Sequence, residues 1–343
     1  MAVINATVAS LLDITRTKNP DGTQAEIAEI LTEDNEVLVE MAWKEGNLIT
    51  GERTTVRDTL PGVGWRRLNE GVARSKSTSR QFDEAAALLE ANSQVDRKLA
   101  ILSGDIAKYR FNEAKAFMEA MNQEMAETLF YGNSTLYPTE FTGLAPRFND
   151  TDGPTGDQII DAGGTGTDNH SIWLINWGAE TVSGIYPKGT VGGLMHMDTT
   201  SNNSIGPDGF PIGDEVLDAS SNPYLGYKDH WEWNCGLMVK DPRHVVRICN
   251  IDLSLLNAAN STGADLQNLM VQALERVQSI GPNAAFYMPR TLRSMLRQQL
   301  LESKNSFLGY EDAAGRKATM FGEVPVRRTD ALNVQEARVT SST

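Results

Sequence analysis

Apolar residues recur at intervals of three and four along residues 105–131, and this spacing predicts one long α-helix. Asp105 stands at its N-terminus, and Gly132 suits a left-handed stop at its end. Such a helix is a rod about 40 Å long. A stripe that contains methionines is also typical of adaptable binding grooves, but its position favours core packing. The stripe consists of Ala114, Phe117, Met121, Met125 and Leu129.

Other segments have the spacing of β-strands. Both alternating faces of residues 171–177 are apolar, which predicts a strand that is buried on both sides. Residues 230–240 alternate apolar side chains with Glu232 and Asn234, which predicts a half-buried strand. Residues 244–251 form a further strand candidate.

The C-terminal part of the chain alternates between the two kinds of spacing. We predict a helix over 262–280, a strand over 284–288, a helix over 290–303 and a strand within 323–330. The chain shows no internal repeat and no low-complexity tract. This mixture of helices and strands predicts an α+β fold.

Two kinds of irregular segment surround these elements. Residues 24–43 have an amphipathic spacing that is interrupted in the middle, which predicts a short helix followed by a turn or a second helix. Residues 149–170 and 198–223 are rich in Gly, Asp, Asn and Thr, and we predict that both are long surface loops.

Residues 47–81 combine Thr and Val residues with Pro61 and Gly62, a pair that suits the two central positions of a type II turn. They therefore predict a long β-hairpin, but neither of its faces is apolar. An isolated two-stranded ribbon is marginally stable in water, so this segment is either disordered or packed against another surface. We expect that surface to belong to a second copy of the same protein.

Composition narrows the class of protein. The 343 residues are enough for about two domains and a substantial core. No apolar run approaches the roughly 20 residues of a membrane helix, and the N-terminus lacks the basic region of a secretory signal, so we expect a cytosolic protein without membrane contact. The formal net charge of −14 predicts a surface that repels nucleic acid.

Patterns of catalytic or metal-binding chemistry are scarce. The sequence has no HExxH, GxSxG or GxxxxGK[ST] motif, and its histidines lack zinc-site spacing, so we expect no cofactor and no metal. Three arginines on one face of the helix 290–303 suit a phosphate, although a solvated or carboxylate-paired face is favoured. The histidines are His170, His196, His230 and His244. The three arginines are Arg290, Arg293 and Arg297.

The two cysteines, Cys235 and Cys249, are equally distant from Pro242 and face each other if this stretch forms a hairpin. They are too few for a disulfide framework and have no CxxC spacing. We therefore expect free thiols in the core.

The order of these parts resembles the major capsid proteins of tailed double-stranded DNA bacteriophages, which have the Hong Kong 97-type fold. It is most similar to those of short-tailed phages of the epsilon-fifteen kind. The resemblance extends over about residues 85–335. The stretches that carry it are, in order, SQVDRKLAILSGD, ETLFYGN with FTGLAPRF, WGAETVSGIYPKG, DPRHVVRICNID and EVPVRRTDAL.

The resemblance implies a division of the chain into five parts. These are an N-terminal arm at 1–43, an extended hairpin or E-loop at 44–83, a P-domain at 84–147 around the spine helix, an A-domain at 148–320, and a C-terminal strand at 321–343 that returns to the P-domain.

The resemblance also implies a structural function without enzymatic activity. Hexamers and pentamers would form an icosahedral shell in the virion, assembled as a procapsid in the host cytoplasm, that encloses the genome without sequence-specific contact. Expected partners are a portal, a decoration or cement protein, and a separate scaffolding protein, because no long helical extension precedes Gln24. Some members of the fold crosslink subunits through a Lys–Asn bond that a Glu promotes, and position alone suggests Lys76, Asn333 and Glu336.

Two other classes of function stay open at this stage. A hydrolase would build its site from the loops 149–170 and 198–223, but the sequence lacks a nucleophile motif. A carbohydrate-binding or tail-associated module would use Trp173, Trp231 and Trp233 as a platform, but the long spine helix is not typical of such modules. Particle size distinguishes a shell from both alternatives.

Overall fold

The computed structural model describes residues 32–202, 204–218, 220–257, 263–303, 308–313 and 316–341. The predicted arm up to residue 31, with most of the first short helix predicted within 24–43, lies outside these residues. The chain divides into two compact units. The first contains Leu88–Met125 and Gly193–Trp233, and the second contains Asp34–Ala87, Ala126–Gly192 and residues 234–341.

The described residues contain both helices and strands, as the sequence predicts. The helices are α1 (Val37–Glu40), α2 (Arg97–Ser103), α3 (Ile106–Tyr131), α4 (Leu266–Arg276) and α5 (Arg290–Ser303). The strands are β1 (Trp43–Glu45), β2 (Gly51–Thr59), β3 (Thr78–Ala85), β4 (Ala87–Asp96), β5 (Ile159–Asp161), β6 (Asn169–Asn176), β7 (Val182–Tyr186), β8 (Leu194–Asp198), β9 (Asp214–Leu217), β10 (Pro223–Val239), β11 (Val245–Asp252), β12 (Ala284–Met288), β13 (Leu308–Ala313), β14 (Arg316–Phe321) and β15 (Val324–Arg328).

A seven-stranded sheet organises the second unit, with its strands in the order β13-β14-β15-β12-β6-β11-β5. Strand β6 is interior to this sheet, and every one of its residues is buried. The two faces of β6 pack against different partners. Trp173 contacts the rings of Phe130 and Phe148, whereas Ile172 and Leu174 join the core beneath α4 and α5. The prediction of a strand buried on both sides is confirmed.

Helices α4 and α5 cover this sheet with apolar stripes at helical spacing. The stripe of α5 is Leu292, Leu296 and Leu300, and the helix has the predicted bounds. Helix α4 is shorter than the predicted range of 262–280. It begins after Asp265, whose carboxylate accepts a hydrogen bond from the backbone N–H of Asn268, and it ends at Arg276 because Val277 adopts an extended conformation.

Helix α3 confirms the predicted long helix, but the reason for its end differs. Gly132 is not among the residues with positive φ, so it is not a left-handed stop. It is a glycine because the chain returns close to it. The backbone N–H of Gly143 donates to its carbonyl oxygen at 2.8 Å, and a Cβ atom at Gly132 would lie 2.6 Å from the carbonyl oxygen of Phe141.

Strand β10 begins earlier than the predicted range of 230–240 and changes character along its length. In the first unit it pairs with β8 and β9, and up to Trp233 buried residues such as Tyr227 and Trp231 are interspersed with partly exposed or exposed ones. From Asn234 onward every residue is buried, and this part pairs with β7 in the second unit. The predicted half-buried strand therefore describes only its first part.

Cys235 and Cys249 lie in β10 and β11, which belong to different sheets, so the prediction that they face each other across a hairpin is wrong. The turn Pro242–His244 between them leads into β11, which pairs with β6 and β5 instead. Both side chains are buried and neither forms a disulfide, as predicted.

The first unit has a small core and two ion pairs of the partly buried Arg110. Its core residues are Val95, Ala100, Tyr109 and Tyr227. The Arg110 guanidinium lies 2.6 Å from the Asp229 carboxylate and 3.0 Å from that of Asp198. Strand β9 lies within residues 198–223, and β5 lies within 149–170, so the two predicted loops are partly strand.

Candidate interaction surface

Strands β2 and β3 form an antiparallel pair, in which Gly51 lies opposite Ala85 and Thr54 lies opposite Phe82. We call residues 51–85 the ribbon. It forms a two-stranded sheet of its own, so neither long edge continues into one of the larger sheets. The predicted hairpin is therefore present, and its stabilisation within the subunit has to come from its base.

The base of the ribbon is fixed by charges and by one glycine. Arg147 forms a two-pronged ion pair with Glu84, with distances of 2.5 and 2.7 Å. The Lys44 ammonium lies 2.6 Å from the buried Glu52 carboxylate. Gly51 has a φ of 149°, and a Cβ atom there would lie 2.0 Å from the carbonyl oxygen of Glu84. These contacts hold the base of the ribbon against the rest of the second unit.

The end of the ribbon is not the predicted tight turn. A type II turn at Pro61 and Gly62 would place Thr59 opposite Gly64, whereas Thr59 lies opposite Thr78. The hydroxyl groups of these two threonines lie 2.6 Å apart, and a Thr–Thr pair stabilises a ladder better than a Thr–Gly pair. Residues 60–77 therefore form a long loop, which we call the tip.

Every residue from 57 to 81 is exposed. The tip nevertheless carries large apolar side chains, and Trp65 is fully accessible to water, with Val63 94% and Leu68 91% exposed. A soluble subunit seldom exposes several large apolar side chains on one segment unless they contact a partner. The tip is therefore the strongest candidate for an interaction surface among the described residues.

The charge of the ribbon is opposite to that of the chain. Residues 57–81 contain six basic and two acidic side chains, whereas the chain has a net charge of −14. The basic residues are Arg57, Arg66, Arg67, Arg74, Lys76 and Arg80. A basic ribbon and an acidic remainder attract each other when they belong to different copies.

The family model of the major capsid protein GP7 matches residues 19–340 of this chain. This chain belongs to that family of phage major capsid proteins. No curated protein matches the sequence. A solved structure of bacteriophage Epsilon15 matches the capsid protein with 30% identity, a TM-score of 0.75 and coverage of 100% of both chains.

A second comparison concerns the fold alone. The bacteriophage JBD30 capsid shares 13% identity with this capsid protein at a TM-score of 0.50, covering 95% of this chain and 99% of that chain. The fold is the Hong Kong 97-type capsid fold, which confirms the resemblance seen in the sequence. Among its described helices, none has the length and apolar character needed to cross a membrane.

The aromatic residues considered for carbohydrate binding are mostly in the core of the capsid protein. Trp173 and Trp231 are almost inaccessible, so neither offers an open face to a sugar ring. Trp231 stacks on Phe117 with ring centroids 4.8 Å apart. The stretch around Trp173 thus builds a wall between two layers of the core.

The four histidines each have a separate polar partner. His170 pairs with the carbonyl of Asp168, and His244 with Asn176; in the first unit, His196 pairs with Asp229 and His230 with Asn92. In the part of the chain that the structure describes, no group of three or more His, Cys, Asp or Glu side chains is arranged to hold a metal ion.

Glu336, suggested as the promoter of a crosslink, is an anchor of the capsid protein's C-terminal segment. Its Oε2 accepts from Arg247 at 2.6 Å and from Ser171, and its Oε1 accepts from Tyr131 at 2.7 Å. Burial, together with this carboxylate, raises the pKa of Tyr131, so the phenol stays protonated and donates. Sequence reasoning missed this cluster because its members are far apart in the chain. Asn333 and Lys76 are exposed, and a crosslink between them stays a prediction.

We expect the two thiols of the capsid protein to be unreactive in the native state. Burial raises the pKa of Cys235 and of Cys249 to about 12, so almost no thiolate forms at neutral pH. A disulfide-exchange reagent at pH 8 should therefore react slowly with the folded subunit and rapidly after unfolding in guanidinium chloride. Rapid labelling of either thiol before unfolding would contradict this expectation.

Proposed function

We propose that this capsid protein assembles as hexamers and pentamers into an icosahedral shell that encloses the double-stranded DNA genome of a phage. The observation that carries the proposal is the ribbon, which exposes every residue from 57 to 81 together with large apolar side chains. Contacts that join different surfaces of identical subunits close into rings, and a shell is a closed arrangement of such rings.

We assign a role in the shell to each part of the fold. The E-loop at 44–83, which contains most of the ribbon, reaches a neighbouring copy, and the arm at 1–43 does the same. The P-domain at 84–147 and the A-domain at 148–320 form the body of the subunit, which the strand at 321–343 completes. An extended segment that orders on a partner offsets its conformational cost only when the partner is present.

Further partners belong to the same proposal. A separate scaffolding protein, a portal and a decoration or cement protein act with the shell, which forms in the host cytoplasm and ends in the virion. The net charge of −14 supports retention of DNA by confinement, without tight or sequence-specific contact. The function is structural, with no catalytic step assigned to any residue.

Particle formation and hydrogen exchange together test the proposal. Co-expression with the phage's scaffolding protein should yield closed particles that are many times larger than the subunit. Sedimentation and negative-stain microscopy detect these particles. The backbone of residues 57–81 should exchange rapidly in the free subunit and slowly in the particle, because only the particle supplies a covering surface. A stable monomer, or strong protection of this segment before assembly, would overturn the proposal.

A further inference from the structure

Three arginines of helix α5 form a cationic surface in the second unit. Arg290, Arg293 and Arg297 follow one another at three and four residues and so share a face of the helix. Arg290 and Arg297 are exposed, and Arg293 is partly buried. We call these residues and Thr319 of β14 the arginine patch.

Two guanidinium groups of the arginine patch converge on one hydroxyl group. The Nη2 atom of Arg293 donates to the Oγ1 atom of Thr319 at 3.2 Å, and the Nη2 atom of Arg297 donates to the same oxygen at 3.0 Å. Thr319 is almost fully buried, so this oxygen is a fixed point that holds both cations close together. A neutral hydroxyl cannot compensate two positive charges.

Among the described residues, every buried or partly buried arginine except Arg293 forms an ion pair with a carboxylate. Arg147, for example, pairs with Glu84, and Arg247 pairs with Glu336. In the part of the chain that the structure describes, no carboxylate lies within ion-pair distance of Arg293 or Arg297. The Nε–H group of Arg293 is buried and has no acceptor.

The nearest described carboxylates form no direct ion pair with Arg293. Asp34 and Glu36 act on Arg293 from a distance, but their closest cations are Arg328 at 3.8 Å and Arg327 at 3.6 Å. Burial, with repulsion from Arg297 and Arg327, lowers the pKa of Arg293 despite these acids. The arginine patch therefore keeps a positive charge that no ion pair within the described part of the subunit balances.

We propose that the arginine patch is a docking site for a carboxylate side chain of a second copy of this chain. The inference rests on the proposed function, since a shell subunit is surrounded by other copies. An acidic chain presents many carboxylates to its neighbours, and a guanidinium group binds a carboxylate through two parallel hydrogen bonds. A polyanion such as DNA fits less well, because Asp34 and Glu36 would repel its further phosphates.

A crosslinking experiment identifies the partner directly. The substitution Arg297→Lys keeps the positive charge and introduces an amine, which a zero-length carbodiimide joins to a carboxylate in contact with it. Particles are assembled from a mixture of isotopically heavy and light copies and are analysed by mass spectrometry. We expect crosslinks from position 297 to an Asp or Glu peptide of the other isotope. Crosslinks within single copies only, or none at this position in intact particles, would overturn the inference.

A charge-removal experiment measures the contribution of the arginine patch to assembly. The double substitution Arg293→Gln and Arg297→Gln should raise the subunit concentration needed for half-maximal assembly at least tenfold. The exposed Arg338→Gln is the matched control, which removes a charge elsewhere and should leave this concentration unchanged. Thermal unfolding of the free subunits checks that both variants are folded.

The assembly results distinguish failure of the proposed function from failure of docking at the arginine patch. If wild-type subunits form no particles, the proposed function fails; if they assemble and the double glutamine variant assembles equally well, docking at the arginine patch fails alone. Anisotropy of a labelled DNA duplex should show equally weak binding to wild-type and double-variant subunits. Loss of DNA binding in a variant that assembles normally would assign the arginine patch to phosphate and overturn the inference.

Discussion

Replacement of Val63, Trp65 and Leu68 by serine is expected to abolish assembly at working concentrations while the free subunit keeps its stability. All three side chains are exposed in the single subunit, so their loss should change its free energy of unfolding by less than about 0.5 kcal/mol. In a particle they would be covered by a neighbour. Burial of each such side chain contributes roughly 1.5–3 kcal/mol, and each 1.4 kcal/mol corresponds to about a tenfold change in an association constant.

The expected effect on assembly is therefore an increase of at least about a hundredfold in the concentration at which particles form, even if part of the burial energy is lost to ordering of the tip. Sedimentation velocity over a dilution series measures this concentration. The control is Leu136→Ser, which removes an exposed apolar side chain outside the ribbon. A triple variant that assembles at the wild-type concentration would show that the tip contacts no neighbour.

The periodic elements of this fold follow from local spacing, because their buried faces are set by residues three, four or two positions apart. Helix α3, helix α5 and strand β6 are predicted for this reason. The ribbon is predicted by the opposite signal, which is an extended segment with no apolar face. That signal indicates a surface that needs a partner, because two strands without a buried face are only marginally stable in water.

The structural predictions from the sequence are wrong where residues far apart in the chain determine the local structure. The turn at Pro61 and Gly62 has the right local chemistry, but the pairing of Thr59 with Thr78 selects a different register. Gly132 has the composition of a left-handed stop, but the return of the chain near Gly143 is what requires the absence of a side chain. In each case the competing interaction lies outside the window that a local pattern covers.

In the candidate interaction surface, too, local sequence patterns predict some features and distant contacts determine others. The exposure of the tip is visible in the sequence as polarity along the ribbon, but the missing carboxylate of the arginine patch is not, because sequence spacing does not tell which arginines find partners. Burial of Trp173 and Trp231 likewise depends on Phe130 and Phe117 from helix α3. The sequence therefore indicates the class of function better than the individual contacts.

The substitution Glu336→Gln is expected to lower the free energy of unfolding by about 3–5 kcal/mol, because it leaves the buried Arg247 without its counter-ion. The guanidinium and carboxylate side chains are only 4% and 6% exposed. The guanidinium also donates to the carbonyl of Phe148 at 2.6 Å and lies 5.1 Å from the centre of the Trp173 ring. Its surroundings are thus too crowded for water to replace the carboxylate.

The effect should concentrate on the C-terminal segment that Glu336 anchors. Its backbone N–H donates to the carbonyl of Asn169 at 2.9 Å, and the amide side chain of Asn250 binds both backbone groups of Val339 at 2.8 Å. Loosening of the segment exposes the bond after Arg338 to trypsin. We therefore expect a lower unfolding midpoint in guanidinium chloride and faster cleavage after Arg338 under native conditions.

The matched control is Glu323→Gln, which makes the same chemical change at an exposed glutamate and should alter stability by less than about 0.5 kcal/mol. The double substitution Arg247→Met and Glu336→Leu removes both charges, so it should recover part of the loss that Glu336→Gln causes. If Glu336→Gln behaved like the control in both unfolding and proteolysis, the buried pair would not be what holds the end of the chain on the sheet.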